Sequence, residues 1–185
     1  MDQIVTIVCL GWGSLIWRQD TLPVRGEWQP DGPVLPLEFA RESNDKRITL
    51  VITPGAPMIT ALWAELDVKT LHEAKTALAA REGISEANIR RSIGAWSADA
   101  GSNDAIGHWA TGQGFAHVVW TALKPKVGSE YRTPSAAEVL GHLASLAGED
   151  RGRAEEYVRM APRQIATPYR ASIEQRLGWT PRGLI

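Results

Sequence analysis

The apolar run at residues 4–10 limits the possible folds of this chain more than any other segment. It is rich in β-branched residues and stops at a Gly-x-Gly pair, Gly11 and Gly13. β-Branched side chains favour strands, and a run this short suits a strand better than a helix. The sequence therefore predicts a buried first strand that ends in a tight loop.

Further strands are predicted in the first two thirds of the chain. Apolar segments at residues 34–41, 47–53, 58–66 and 115–124 have strand-like composition. The turn sequence Pro54-Gly55-Ala56-Pro57 separates the second and third of these segments, which predicts two antiparallel strands joined by a tight turn. The four prolines and two glycines of residues 23–36 predict a loop before and around the start of the segment at 34–41.

One helix is predicted in the middle of the chain. Apolar residues recur at helical spacing after Asp67, a possible N-cap, and the pattern ends at Glu82 and Gly83. Residues 85–96 fit either a short helix or a strand. Residues 97–114 are rich in Gly, Ser, Asn and Asp, which predicts a long loop.

The last third of the chain is predicted to be helical. Thr133 and Pro134 predict a helix start, and two further helices are expected at residues 151–160 and 169–177. Strands followed by C-terminal helices indicate an α+β fold with a mainly antiparallel sheet, and no internal repeat is evident. The 185 residues are predicted to form a single domain, 1–185.

Composition excludes several classes of function. The formal net charge is -1 and no long Lys/Arg block occurs, so nucleic acid is not an expected partner. The N-terminal apolar run lacks a basic flank and is too short to cross a bilayer, so we expect no membrane partner and a cytoplasmic location. The single cysteine, Cys9, and the four histidines show no metal-ligand spacing, which predicts no metal site.

Two features are candidates for chemistry. The first is the loop Gly11-Trp12-Gly13-Ser14-Leu15, which follows a predicted strand. Its backbone N–H groups are predicted to form an anion-binding nest. The alternative is a tight turn that only redirects the chain. A Rossmann interpretation fails because Ile16 occupies the third glycine position. Glu82 is predicted at the negative end of a helix dipole, which suits a general base, although a solvated surface glutamate is the alternative.

Three sequence blocks resemble the γ-glutamylcyclotransferase superfamily, and most closely its ChaC-like, glutathione-specific branch. The first block, residues 10–17, is similar to the strand-end motif of that branch, with Trp12 in place of the usual tyrosine. The second, residues 39–51, has the Phe, the Ser (Ser43), the Asp and the Thr-Leu-Val of the family. Arg81-Glu82 matches the pair that carries the catalytic glutamate.

The resemblance implies a small, mainly antiparallel β-barrel with surrounding helices. It implies an enzyme that converts a γ-glutamyl amide or peptide to 5-oxoproline and the released amine, with Glu82 as general base and no cofactor. The implied substrate-binding residues are Gly11, Trp12, Gly13, Ser14, Leu15 and Ser43. The alternative is a catalytically altered small-molecule binding or regulatory protein with the same fold. The resemblance leaves the substrate and the oligomeric state open, as it does the role of residues 97–114.

Overall fold

The computed structural model describes residues 5–102 and 104–183, which form an α+β structure with two β-sheets and six α-helices. The strands are β1 (Ile7–Gly11), β2 (Val24–Gln29), β3 (Val34–Glu42), β4 (Ile48–Ile52), β5 (Met58–Thr60), β6 (Leu62–Leu66), β7 (Ile93–Ser97) and β8 (His117–Thr121). The helices are α1 (Leu71–Glu82), α2 (Ile89–Ser92), α3 (Ala105–Gln113), α4 (Ala136–Ser145), α5 (Gly148–Met160) and α6 (Pro168–Leu177).

The described residues divide into two compact units, each assembled from separate stretches of sequence. Unit 1 contains residues 5–11, 18–34, 60–102 and 104–122. Unit 2 contains residues 12–17, 35–59 and 123–183. The strand β1 therefore belongs to unit 1, and the residues that follow Gly11 belong to unit 2.

Unit 1 is organised around a five-stranded sheet in the order β2-β6-β1-β8-β7. Its neighbouring strands are antiparallel except β1 and β8, which run parallel. All five residues of the central strand β1 are buried, as its continuous apolar sequence predicts. The predicted first strand is confirmed from Ile7 onward, whereas residue 4 lies outside the described residues.

The helix α1 packs against β8 and β1 and ends as predicted. Gly83 follows it in the left-handed conformation, with φ 66°, which glycine adopts without strain. The predicted N-cap Asp67 is wrong, because the Thr70 side chain accepts the capping hydrogen bond from the Glu73 N–H at 3.1 Å. Asp67 instead forms an ion pair with Arg25.

Two predicted loops contain regular structure. β2 lies inside the proline-rich segment at residues 23–36, where it pairs with β6. The helix α3 lies inside the glycine-rich segment at 97–114, with Asp104 as its N-cap and with Ile106 and Ala110 buried. Composition missed α3 because the helix has only nine residues, and two of them are glycines that count as loop formers. The ambiguous residues 85–96 hold a 3₁₀ turn, then α2 and the start of β7.

The predicted hairpin between residues 47–53 and 58–66 is wrong. β3 lies between β4 and β5 in a three-stranded sheet, so β4 and β5 do not pair with each other. The predicted single strand at 58–66 is divided at Ala61 into β5 and β6. Ala61 accepts a hydrogen bond from the Gly32 N–H and donates one to the Pro33 carbonyl, which interrupts the strand pairing at that residue.

Unit 2 combines the sheet β4-β3-β5 with α4, α5 and α6. α5 packs on β4, and α4 packs on α6. The helix α4 starts at Ser135, which forms a capping box with Glu138, and not at Thr133 and Pro134 as the sequence predicts. The helices predicted at 151–160 and 169–177 are confirmed as α5 and α6, which start at Gly148 and Pro168.

A buried carboxylate joins β3 to the start of α6 within unit 2. Glu38 is 2% exposed and accepts hydrogen bonds from the Thr167 hydroxyl and from the backbone N–H of Phe39. Burial raises the pKa of Glu38 above its ordinary value, although these hydrogen bonds act in the opposite direction.

The two sheets and six helices of the described residues confirm the predicted α+β class. Among the described helices, none is long and apolar enough to cross a membrane.

Candidate functional site

The loop that follows β1 forms a tight turn. Gly11 is the last residue of β1 and pairs with Leu62. From Gly13 the chain turns back, and the Ile16 N–H donates to the Gly13 carbonyl at 3.0 Å. Among the described residues, the backbone N–H groups of Gly13 and Leu15 make no hydrogen bond. These two N–H groups therefore have no acceptor among the described residues.

Gly13 is required by its packing rather than by its backbone conformation. A Cβ atom at this position would lie 2.3 Å from the hydroxyl oxygen of Tyr157, far inside van der Waals contact. Neither Gly11 nor Gly13 has a positive φ angle. This neighbour lies on α5, far along the chain, so the sequence alone does not show the contact.

Trp12 and Tyr157 both form a hydrogen bond with the backbone of Leu50 in β4. The Trp12 indole N–H donates to the Leu50 carbonyl at 3.2 Å, and the Leu50 N–H donates to the Tyr157 hydroxyl at 3.1 Å. Trp12 is only 6% exposed. Its indole N–H is thus used inside unit 2, and Trp12 anchors the loop to the sheet.

The Tyr157 ring is enclosed by aromatic and cationic groups of unit 2. Trp17 and Phe39 approach it edge-on, with centroids 5.6 and 6.3 Å away. The Arg47 guanidinium carbon lies 5.4 Å from the ring centroid. These contacts fix the position of the tyrosine hydroxyl beside Gly13.

Ser43 lies in a turn at residues 43–47 whose polar groups bond to one another. The Ser43 hydroxyl is 2.5 Å from the Asp45 carboxylate and 3.1 Å from the Arg47 carbonyl. Burial acts to raise the pKa of Asp45, but hydrogen bonds from Ser43 and Arg47 and the Arg47 charge lower it below its ordinary value. The Ser43 hydroxyl therefore stabilises the turn, and its predicted contact with substrate stays a prediction.

Glu82 is the last residue of α1, in unit 1, and its side chain is 17% exposed. One carboxylate oxygen, Oε1, accepts a hydrogen bond from Arg81 Nη1 at 2.7 Å. Arg81 is in turn held by the Arg18 carbonyl, at 2.6 Å from Nη2 and 3.2 Å from Nε. Among the described residues, Oε2 of Glu82 has no hydrogen-bond partner. The carboxylate is therefore oriented through one of its two oxygens.

Cys9 lies in β1, near the Glu82 carboxylate of the same unit. Its side chain is fully buried. Burial raises the pKa of the Cys9 thiol, the Glu82 charge raises it further, and the Arg81 charge acts in the opposite direction. A thiol with a raised pKa is a poor nucleophile, so Cys9 acts as a core residue of β1.

Two of the histidines, His117 and His142, form hydrogen bonds within the protein. His117 Nδ1 is 2.8 Å from the Ser97 hydroxyl across the β7–β8 pair, and His142 Nε2 is 2.7 Å from the Lys46 carbonyl. Within residues 5–102 and 104–183, no group of three or more His, Cys, Asp or Glu side chains is arranged to hold a metal ion.

The structure assigns the candidate residues to the two units. Trp12, Gly13, Ser14, Leu15 and Ser43 belong to unit 2, whereas Gly11 and Glu82 belong to unit 1. The sequence analysis gave no role to Tyr157 or Arg47, because nothing in the spacing of the sequence shows that α5 packs on the loop and on the turn.

Replacing Gly13 by Ala tests the contact between the loop and Tyr157. We expect Gly13→Ala to lower the free energy of unfolding by about 1–3 kcal/mol, since the new methyl group must displace the Tyr157 hydroxyl. Thermal denaturation measures this loss, and Gly112→Ala, where an added Cβ meets nothing within 4 Å, is the control. In a Tyr157→Phe background Gly13→Ala is expected to cost less than in the parent, because Phe lacks the clashing oxygen, although Tyr157→Phe by itself removes the acceptor of the Leu50 N–H. Equal stability of Gly13→Ala and the parent would refute the contact.

No protein-family model and no curated protein matches this chain.

Proposed function

We propose that this protein is a γ-glutamylcyclotransferase-like enzyme that converts a γ-glutamyl amide or peptide to 5-oxoproline and the released amine. The observation that carries the proposal is the state of Glu82. Its side chain is mostly shielded from solvent, and the carboxylate is oriented through Oε1 while Oε2 has no hydrogen-bond partner among the described residues. A carboxylate held in this way suits general-base catalysis.

The loop after β1 supports the same proposal independently. Its N–H groups at Gly13 and Leu15 are unused among the described residues, and the loop is fixed in place by Trp12 and Tyr157. Fixed N–H donors stabilise negative charge that develops on a carbonyl oxygen, and they do so without reorganising during the reaction. Attack on an amide carbonyl requires this electrostatic stabilisation of the transition state.

In the proposed reaction Glu82 accepts a proton from the α-ammonium group of the substrate. The neutral amine then attacks the γ-carbonyl carbon, a new C–N bond closes the five-membered ring, and the original amide C–N bond breaks. The departing nitrogen takes up the proton from Glu82. The ring nitrogen then gives its second proton to the freed carboxylate, which passes it to the released amine, so the products are 5-oxoproline and an ammonium ion, and protons and bonds balance without a cofactor. The proposal includes the closed barrel that the family resemblance implies.

The alternative is a binding or regulatory protein of the same fold that has lost catalysis. Trp12 favours this alternative, because a tryptophan occupies the position of the tyrosine in the resembling motif and its indole N–H is bonded to Leu50. Binding without turnover would distinguish this alternative from the enzyme.

The test is an assay of the purified protein with a panel of γ-glutamyl compounds, including glutathione, γ-glutamyl dipeptides and γ-glutamyl amines. The expected result is stoichiometric release of 5-oxoproline and the matching amine from at least one member. Calorimetric binding of a panel member without release of 5-oxoproline would support the binding protein. If the protein neither binds nor turns over any member of the panel, both functions are refuted.

A further inference from the structure

The guanidinium of Arg47 is used only in part within the protein. Its Nε lies 2.7 Å from the Asp45 carboxylate in an ion pair, is shielded from solvent and makes no hydrogen bond. Among the described residues, the terminal nitrogens Nη1 and Nη2 make no hydrogen bond either. The side chain is 28% exposed. The terminal nitrogens are therefore the part of this guanidinium that a ligand can reach.

A buried arginine of the same unit, Arg170, shows what a purely structural guanidinium does. Both terminal nitrogens of Arg170 are saturated, because each donates to two backbone carbonyls at 2.6–3.1 Å. The guanidinium of Arg47 is charged and oriented, but its terminal nitrogens have no backbone carbonyl acceptors among the described residues. A guanidinium left in this state matches the planar, two-oxygen geometry of a carboxylate.

The position of Arg47 is fixed before any ligand binds. Asp45 holds the Nε, and the Tyr157 ring lies beneath the guanidinium. The turn that carries Arg47 is attached to the helices of unit 2 through Lys46, whose carbonyl bonds to His142 and whose Nζ pairs with Asp150 at 2.7 Å. A side chain that is already ordered loses little conformational entropy on binding, which favours affinity.

Arg47 is also close to the loop within unit 2, because both contact the same tyrosine. The Tyr157 hydroxyl fills the space beside Gly13, and the Arg47 guanidinium lies over the ring of Tyr157. The loop and the guanidinium therefore both lie against the Tyr157 side chain. Each has N–H groups without acceptors among the described residues. A ligand with a carbonyl and a carboxylate a few bonds apart has the chemistry to use both.

We infer that Arg47 binds a carboxylate of the substrate, an inference that rests on the proposed γ-glutamyl substrate. A γ-glutamyl peptide offers two sources of this group: the α-carboxylate of the glutamyl part and a carboxylate on the leaving amine. Arg47 determines specificity in either case, because a substrate in which this group is uncharged leaves the guanidinium without its ligand.

Calorimetric titration tests the site without relying on turnover. The probes are 5-oxoproline and 5-oxoprolinamide, which differ only in a carboxylate against a neutral carboxamide. The parent is expected to bind 5-oxoproline roughly 10- to 100-fold more tightly if Arg47 holds the α-carboxylate, the range for hydrogen bonds to charged groups. Arg47→Gln is expected to abolish this preference, and Arg47→Lys to retain part of it. Arg153→Gln removes the same charge from an exposed side chain of unit 2 and is the control.

Turnover of γ-glutamylglycine and γ-glutamylglycinamide separates the two sources. A rise in KM on Arg47→Gln for both substrates indicates the α-carboxylate, and a rise for γ-glutamylglycine alone indicates the carboxylate of the leaving amine. The inference is overturned if Arg47→Gln and Arg47→Lys, both with parental thermal stability, change neither the binding preference nor KM. If the parent prefers 5-oxoproline but turns over no γ-glutamyl compound, the proposed enzyme fails while the carboxylate site stands.

Discussion

Replacing Glu82 by Gln is expected to lower the rate of 5-oxoproline formation by about 10²- to 10⁴-fold, the usual contribution of a general base. Gln has the size of Glu, and its carbonyl oxygen can accept the hydrogen bond that Arg81 Nη1 donates to Oε1 at 2.7 Å. It cannot accept a proton from the α-ammonium group at neutral pH. The loss is therefore expected in kcat, with KM changed only a few-fold. Steady-state kinetics on a substrate that the parent turns over gives both quantities.

The control for this variant is Glu86→Gln, which makes the same change of charge on an exposed residue of unit 1 a few positions along the chain. It is expected to retain parental kcat and KM. Thermal denaturation of both variants shows whether the fold is kept. A folded Glu82→Gln protein with near-normal turnover would mean that Glu82 is not the base and that the resemblance fails at this residue.

The sequence predicts the local elements of this fold best where one residue type decides the backbone. Gly83 and Gly178 end α1 and α6 in the left-handed conformation, and the β-branched run before Gly11 is a buried strand. These outcomes depend on steric rules that act within a few residues. They are therefore readable from a single sequence.

Pairing between distant segments could not be predicted in this way. β4 and β5 flank a turn sequence that favours a hairpin, yet both pair with β3, and Ala61 separates β5 from β6 through bonds to Gly32 and Pro33. The choice depends on which segments bury the most apolar surface together, a property of the folded chain and not of the turn.

The candidate site shows the same limit. The sequence identifies the loop at Gly11–Leu15 and Glu82 as candidates, but it does not show why Gly13 must lack a side chain. The reason is the Tyr157 hydroxyl, more than a hundred positions away. Arg47 is likewise recognisable only from its environment, since its importance comes from terminal nitrogens that lack acceptors among the described residues.

Arg170 shows how strongly one side chain can determine the stability of unit 2. Its side chain is almost completely buried, and its terminal nitrogens donate to the carbonyls of Val158, Ala161, Pro162 and Ile165. These carbonyls lie at the end of α5 and in the segment that leads to α6, where helical hydrogen bonds end and other donors are needed. Burial lowers the pKa of Arg170 below its ordinary value.

Replacing Arg170 by Ala is expected to lower the free energy of unfolding by about 3–5 kcal/mol, because four carbonyls each lose a charged donor and a cavity remains. Of the four, the Pro162 carbonyl keeps the Ile165 N–H as a donor. For a chain of this size the loss corresponds to a fall in Tm of roughly 6–20 °C. Arg176→Ala removes the same side chain from an exposed position of α6 and is expected to cost less than about 1 kcal/mol. Arg170→Lys keeps the charge but has one nitrogen to serve the carbonyls, so its Tm is expected between those of the parent and Arg170→Ala. Thermal and denaturant unfolding measure these differences, and equal Tm values for Arg170→Ala and Arg176→Ala would show that the four hydrogen bonds do not stabilise unit 2.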